Sequence, residues 1–356
     1  MSSSIRIGVL YGFRNPAASG LSFPEMYARV LEQIALVDQL GFDHVWITEH
    51  HFVDDGYMPS PLVMSGAIAA RTSRVAIGQD VMLVPFTNPV RLAEDLAVLD
   101  NLSNGRMMIG AGMGYVPSEF AAMGIPRGER RQRMDETLAI LRHAFTDDEF
   151  DFHGAHFQLE RVRVRPRPVQ PGGPPLWVAA MGEPGARRAA RFDAHLLPQG
   201  DRRAVLDPWR AVLSDRGHNA DDYRVGIARP FVVNDNPDAA AASSNGVALA
   251  KVAAGGPIPH ESMRVYEGWL RELSPTDRMK TQLIEGNDDG TLIPQDAFVG
   301  SADACIAEAL RMHHEYGITD IIVPGYSGAQ PVENVDSNLV RLANEVLPAL
   351  RGRPSK

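Results

Sequence analysis

The sequence predicts an α/β protein folded as a (β/α)8 barrel of the TIM type, with insertions, in a single domain over residues 1–350. Three observations carry that expectation. Strand and helix signals alternate from the first residues onward. The strand segments are nearly all apolar rather than alternating, as strands buried on both faces must be. Eight such segments can be found, which fits a closed barrel; a doubly wound open sheet is the alternative and usually needs fewer units.

Taken in order, Ile5–Tyr11 is a strand rich in β-branched residues, followed by a loop with Arg14, Asn15 and Pro16. Ser22 is placed to cap a helix, with Pro24 and Glu25 in its first turn. Met26, Val30, Ile34, Val37 and Leu40 keep helical spacing, and Gly41 ends that helix. The second strand is Asp43–Thr48, and Glu49-His50-His51 follows at its tip. Pro61–Ala70 reads as a helix, Val75–Leu83 as the third strand, Pro89–Leu99 as a helix and Met107–Gly110 as the fourth strand. Arg130–Phe145 is a long amphipathic helix.

Phe150–Arg165 has no helix signal and a turn at Gly154, which predicts a hairpin near 150–165. The Pro-rich run after it could link two domains, but the apolar strand Leu176–Ala180 follows at once, which favours an insertion in one domain. Then come helix Pro184–Arg191, strand His195–Pro198, helix Val205–Asp215 and a seventh strand, Arg224–Val233. The chain closes with helix Asp303–Tyr316, strand Asp320–Val323 and helix Asn334–Leu347. The stretch 234–300 fits no repeat and is expected to be a lid-like insertion, since structureless connections of this length usually serve binding.

Composition narrows the partners. The chain has 356 residues, 44% hydrophobic and 22% charged, with a formal net charge of −9. An acidic balance argues against nucleic acid, which needs a basic surface. The single cysteine, Cys305, excludes an internal disulfide framework and fits a reducing compartment. Met1–Arg6 lead into a strand with no signal-peptide pattern, and no apolar run has membrane-spanning length. A cytoplasmic protein without membrane contact is expected.

Chemistry concentrates at strand tips. A carboxylate and two imidazoles in Glu49-His50-His51 place proton-handling groups where ligands bind in parallel α/β folds, although a solvated turn would carry the same residues. Gly110-Ala-Gly-Met-Gly114 follows a strand, but its GxGxG spacing and the lack of an acidic residue at a strand tip roughly 20 residues on argue against a dinucleotide fingerprint. Its glycines would instead let backbone approach a flat ring system. Ala180-Met-Gly-Glu-Pro-Gly185 joins a strand to a helix beginning near Pro184, a natural phosphate seat or else a plain tight turn. Arg187 and Arg188 lie one turn further on. His153 and His156 lack companions at ligand spacing, so no metal is expected.

Five blocks in order then resemble the luciferase-like flavin monooxygenases of the bacterial luciferase superfamily. They are Gly41–Phe52, Pro85–Asp95, Leu99–Arg106, Gly110–Gly114 with Glu119-Phe120, and Phe152–Leu159 leading into Pro166–Val178, with a weaker block at Phe298–Ser301. The resemblance implies reduced FMN at the C-terminal rim of the barrel, its ring over the tips at Thr48, Val81 and Gly112. It implies a non-prolyl cis peptide near Asp80–Val81. It assigns acid–base work to His50, with Glu49 orienting it or contacting substrate, and leaves His51 to packing. It puts the phosphate on the backbone of Met181, Gly182 and Gly185. The family's arginine in the glycine block is replaced here by Met113, so the phosphate is held otherwise or a different flavin binds.

The favoured expectation is therefore an FMN-dependent monooxygenase using reduced FMN and dioxygen on a small hydrophobic or carbonyl substrate. Phe13, Met58 and Phe86 would line its mouth. A separate flavin reductase would supply the cofactor, since no nicotinamide-binding domain is evident, and the family's habit makes a homodimer the default. A deazaflavin-dependent hydride-transfer enzyme on the same barrel is the alternative, and a flavin-sequestering protein without turnover is the third reading.

Overall fold

The third strand of the chain explains the architecture. In the computed structural model it is two short strands, β3 (Ala76–Gln79) and β4 (Met82–Leu83), divided at a cis Asp80–Val81 peptide. β3 pairs in parallel with β2 (His44–Ile47), whereas β4 pairs in parallel with β5 (Ile109–Gly112). The hydrogen-bonded ladder therefore breaks into two arcs at that stave. The described residues are 5–199, 202–236, 269, 271–273, 298–328 and 332–351.

Two small strands stand apart from the staves. β6 (Phe150–His153) and β7 (Gln158–Val162) form the antiparallel hairpin read from the sequence. The Glu136 carboxylate anchors its turn by accepting the amides of Ala155, His156 and Phe157.

The remaining staves are β1 (Arg6–Tyr11), β8 (Leu176–Ala180), β9 (His195–Pro198), β10 (Gly226–Ala228) and β13 (Asp320–Pro324). One arc runs β10-β13-β1-β2-β3 and the other β4-β5-β8-β9, all parallel. Single parallel bridges, Ile77 to Met107 and Leu196 to Val225, span the two seams. Eight staves thus follow one another around a ring, as a TIM-type barrel requires. Trp46, Met108, Trp177, Leu197 and Ile322 fill the interior, with the two indoles edge to face at 5.3 Å.

Helices α1 (Phe23–Leu40), α2 (Pro61–Ala69), α3 (Pro89–Ser103), α4 (Pro117–Ala122), α5 (Arg130–Thr146), α6 (Glu183–Arg191), α7 (Arg202–Asp215) and α8 (Ala302–Tyr316) wrap this ring. Ser22 caps α1 as read from the sequence, its amide donating to Glu25 Oε2 at 2.8 Å. None of the helices among the described residues is long and apolar enough to cross a membrane.

Two expected elements differ. The seventh strand does not continue through Arg224–Val233; it stops at Ala228, and β11 (Phe231–Val233) pairs outside the ring with β12 (Phe298–Gly300). Pro230 between them has no N–H for a ladder. The last helix is α9 (Val332–Arg341), a π turn over Leu342–Val346 and α10 (Leu347–Arg351). Pro348 cannot donate to the carbonyl four residues back, so the spiral loosens there. Most of the expected insertion at 234–300 lies outside the described residues.

The N-terminal mouth of the barrel is closed by a polar network. His44 donates Nε2–H to Asp320 Oδ1 at 3.0 Å, and Trp46 donates its indole N–H to His44 Nδ1 at 2.6 Å. An indole can only donate, so Nδ1 carries a lone pair and the ring is neutral. Arg6 and Arg224 hold the two oxygens of Asp320 at 2.7 Å each. A Cβ on Gly8 would lie 1.7 Å from the His44 ring, so only glycine leaves room for it.

Candidate active site

The opposite mouth is built on the exit of β2. Thr48, Glu49, His50 and His51 are all buried, which removes the solvated-turn reading. The loop folds back on the first stave: Thr48 N–H donates to the Tyr11 carbonyl, His50 N–H to that of Met58, and Met58 N–H to that of Gly12. Three backbone bonds therefore fix where the two imidazoles stand.

The two imidazoles pair with different carboxylates. Glu49 Oε1 accepts from His51 Nε2 at 2.9 Å, and its Oε2 accepts the Leu83 amide at 2.7 Å. Glu49 thus clamps the stave that follows the cis peptide. His50 Nδ1 instead lies 2.9 Å from Oε1 of Glu119, a residue of α4, and the His51 amide donates to the same oxygen at 2.8 Å. Glu119 is 1% exposed, and its Oε2 has no hydrogen-bond partner among the described residues. Thr48 Oγ1 is likewise buried without one.

Aromatic rings surround His50. Tyr57 and Tyr115 meet it edge-on at 4.9 and 5.6 Å, and Trp269 stacks on it at 4.1 Å with 26° between planes. Burial pushes the Tyr115 hydroxyl far above the usual phenol range, with Tyr57 and Glu119 adding to it, so this ring is a neutral wall. Trp269 belongs to the 234–300 insertion. Nearby Glu272 accepts the Ser118 amide at 2.9 Å and its hydroxyl at 3.1 Å, fastening that segment to the start of α4. The Arg14 guanidinium lies 4.6 Å from the centre of the Tyr57 ring and pairs with Asp55.

The adjoining tips carry the other expected residues. The Asp80 amide hangs from the Ile47 carbonyl at 2.9 Å, and Val81 packs on the interior Trp46–Trp177 cluster. Gly112 ends β5, where a Cβ would come within 2.2 Å of Val81 Cγ2. Met113 leaves that tip half-buried against the core. Phe13 and Met58 are fully enclosed, while Phe86 touches both His51 and Phe120 with its ring. Asp80 and Val81 thus occupy the tip next to the one bearing Glu49 and His50, and Gly112 and Met113 the tip after it.

Met181, Gly182 and Gly185 lie on the turn from β8 into α6. The Gly182 carbonyl accepts the amides of Gly185 and Ala186, and Pro184 has none to give, so helix geometry leaves the N–H groups of Gly182 and Glu183 for a ligand. Gly185 serves packing, since a Cβ there would sit 3.0 Å from that of Ala180. All three arginines of the helix hold carboxylates: Arg187 pairs with Glu183, Arg188 is buried against Asp135, and Arg191 pairs with the same Asp135.

Sequence reasoning paired His50 with Glu49 and assigned no role to Glu119, Tyr57, Tyr115 or Trp269. Only Glu119 stood inside a quoted block, and nothing in its spacing pointed to His50.

This fold has known counterparts. A solved structure of the monooxygenase RslO1 from Streptomyces bottropensis superposes with a TM-score of 0.79 at 26% identity, covering 97% of this chain and 99% of that one. An F420-dependent secondary alcohol dehydrogenase shares the fold with a TM-score of 0.72 at 18% identity, over 98% and 99% of the two chains. The oxygenase component of the flavin-dependent trigonelline monooxygenase of Acinetobacter baylyi is 29% identical over 158 residues, 44% of each chain. The chain spans less than two thirds of the length of the curated relatives it matches. The model of the luciferase-like monooxygenases matches residues 5–320, and the chain belongs to that family.

Proposed function

We propose that the protein is an FMN-dependent monooxygenase that oxygenates a small apolar or carbonyl substrate with reduced FMN and dioxygen. The observation that carries this reading is the His50 imidazole, buried at a strand tip with Nδ1 on a buried carboxylate, beside a backbone ledge of Asp80, Val81 and Gly112. At Gly112 the Val81 side chain already fills the space a Cβ would take, so glycine there lets the two tips close up into the ledge on which a flat ring would lie. Asp80, Val81, Gly112 and Met113 would hold the ring. The turn Met181–Gly185 would take the phosphate on the amides of Gly182 and Glu183, and a Cβ on Gly182 would meet nothing within 4 Å.

Reduced FMN, when bound, supplies the electrons that activate dioxygen. The chain's own residues exclude water, orient the substrate and move a proton. His50 accepts and returns that proton at Nε2. Glu49 keeps His51 and the Leu83 amide in place and so shapes the ledge. Tyr57, Tyr115 and Trp269 keep the imidazole dry. A separate reductase would deliver the cofactor, as the "oxygenase component" wording of the trigonelline relative implies for that protein. The acidic surface and single buried cysteine fit a cytoplasmic protein, and a homodimer would cover apolar residues exposed on α2 and α3.

One observation favours a second reading, a deazaflavin-dependent hydride transfer. Met113 stands where the family's flavin-phosphate arginine would be, and Arg187 and Arg188 are engaged by carboxylates. Titration with FMN and with an 8-hydroxy-5-deazaflavin separates the two. Tight FMN binding together with label from 18O2 in the product supports the first reading. Deazaflavin binding with no response to FMN overturns it.

A further inference from the structure

Glu119 stands 69 positions from His50 in the chain and meets it only in the fold. Its Oε1 takes two bonds, from His50 Nδ1 at 2.9 Å and from the His51 amide at 2.8 Å. The second bond decides the direction of the first. A protonated Oε1 would be a poor acceptor for the amide, so Oε1 accepts from both and His50 Nδ1 carries the hydrogen. The lone pair of His50 is then on Nε2. His51 has the opposite arrangement, because its Nε2 faces Glu49.

An anchor serving stability alone would satisfy both oxygens, since a buried oxygen left without a partner destabilises the fold. Oε2 has none among the described residues. Trp269 lies flat on the His50 ring and opposes its tilting.

We propose that Glu119 is the positioning residue of the reaction: it locks His50 in the Nδ1–H form, so that Nε2 receives the proton, and its carboxylate balances the imidazolium that results. The step is a proton transfer only. An X–H bond of the reacting group breaks, an N–H bond forms at Nε2, and the return transfer reverses both with no change in oxidation state. This inference rests on the acid–base role given to His50 above.

The test starts on cofactor-free protein labelled with 15N-histidine, so that it is independent of which flavin binds. The His50 signals are identified by their loss in His50→Gln. Above the titration range of imidazole, wild-type His50 is expected in the Nδ1–H form. Glu119→Gln keeps an acceptor and is expected to retain that form. It loses the charge, so turnover is expected to fall about tenfold at little change in KM, with the acid limb of the rate profile displaced to lower pH. Glu119→Ala is expected to mix the two forms of His50. Wild-type His50 in the Nε2–H form overturns the proposal, and so does a Glu119→Gln enzyme with unaltered turnover and pH profile. Should Glu119→Ala fail to fold, the Gln variant decides alone. Failure of FMN to bind leaves the tautomer result standing and sinks only the functional reading.

Discussion

Which nitrogen of an imidazole holds the hydrogen depends on which one faces an acceptor, and the acceptor differs between the two histidines. At His50 that is Glu119, and at His51 it is Glu49. Replacing His50 by Gln keeps a polar side chain but ends reversible proton exchange. We expect FMN affinity to stay within about threefold and turnover to fall by about 10²–10⁴, measured as FMN titration against steady-state rate; unchanged turnover would remove His50 from the chemistry. The two glycines of the proposed cradle respond differently. A Cβ on Gly112 meets Val81 at 2.2 Å, whereas one on Gly182 meets nothing within 4 Å and the backbone there is extended. Gly112→Ala should therefore destabilise by about 1–3 kcal/mol, and Gly182→Ala by less than about 0.5 kcal/mol, compared by urea unfolding. Equal effects would contradict the geometry. The Glu49-His50-His51 cluster was legible because its residue types are adjacent in sequence. Its pairing was not, since successive side chains leaving a strand point to different sides and the carboxylate for His50 comes from another helix.

At the scale of elements, β2 serves two ends of the barrel. Its first residue, His44, closes the bottom network, and the residues after its last one build the site. The network makes stability depend on pH. Burial is the main cause that lowers the pKa of His44, and burial pushes that of His195 down to about 4; His195 Nδ1 also accepts the Arg224 amide and must stay unprotonated to do so. Burial alone would raise Asp320, but His44, Arg6 and Arg224 outweigh it and hold its carboxyl far below the usual range. The signs agree. A lowered imidazole means the unfolded chain binds the proton first, so stability is full above about pH 6.5 and drains away as pH falls toward 4. For His195 the whole effect is on the order of 3 kcal/mol. Asp320 adds a loss that begins as pH falls into the ordinary carboxylate range, where the unfolded chain takes up its proton while the folded one does not. Urea unfolding at pH 7 and pH 5 should show the drop, and His195→Gln should flatten it; a flat wild-type profile would refute the account. The strand–helix alternation that placed these elements was readable because buried strands are uniformly apolar. Helix α4 was missed, because six residues hold too little periodicity to register. The breaks at Asp80–Val81 and Pro230 fall inside apolar runs that read as continuous strands.

On the scale of the whole molecule, the ring of tips puts all proposed chemistry at one mouth and leaves the outer helices to other work. Val63 on α2 and Val98 and Leu102 on α3 are 76%, 51% and 54% exposed. Val98 and Leu102 are one helical turn apart and share a face, and α2 packs beside α3. Water pays no enthalpic dividend for such a face, so a second copy of the chain covering it would gain about 25 cal/mol for each Å² of apolar surface removed from solvent. A stable dimer needs about 1,200–2,000 Å² in total, more than three side chains provide, so the two helices must contribute along their length. Lysines at Val98 and Leu102 would place like charges across a two-fold contact and desolvate them. Light scattering should therefore find the wild type at twice the chain mass of 38.9 kDa and the Val98→Lys, Leu102→Lys double variant at the chain mass. Because every proposed site residue comes from one chain and lies at the strand tips, the double variant should still bind FMN. A monomeric wild type, or a double variant that stays dimeric, would show that this face has a different purpose.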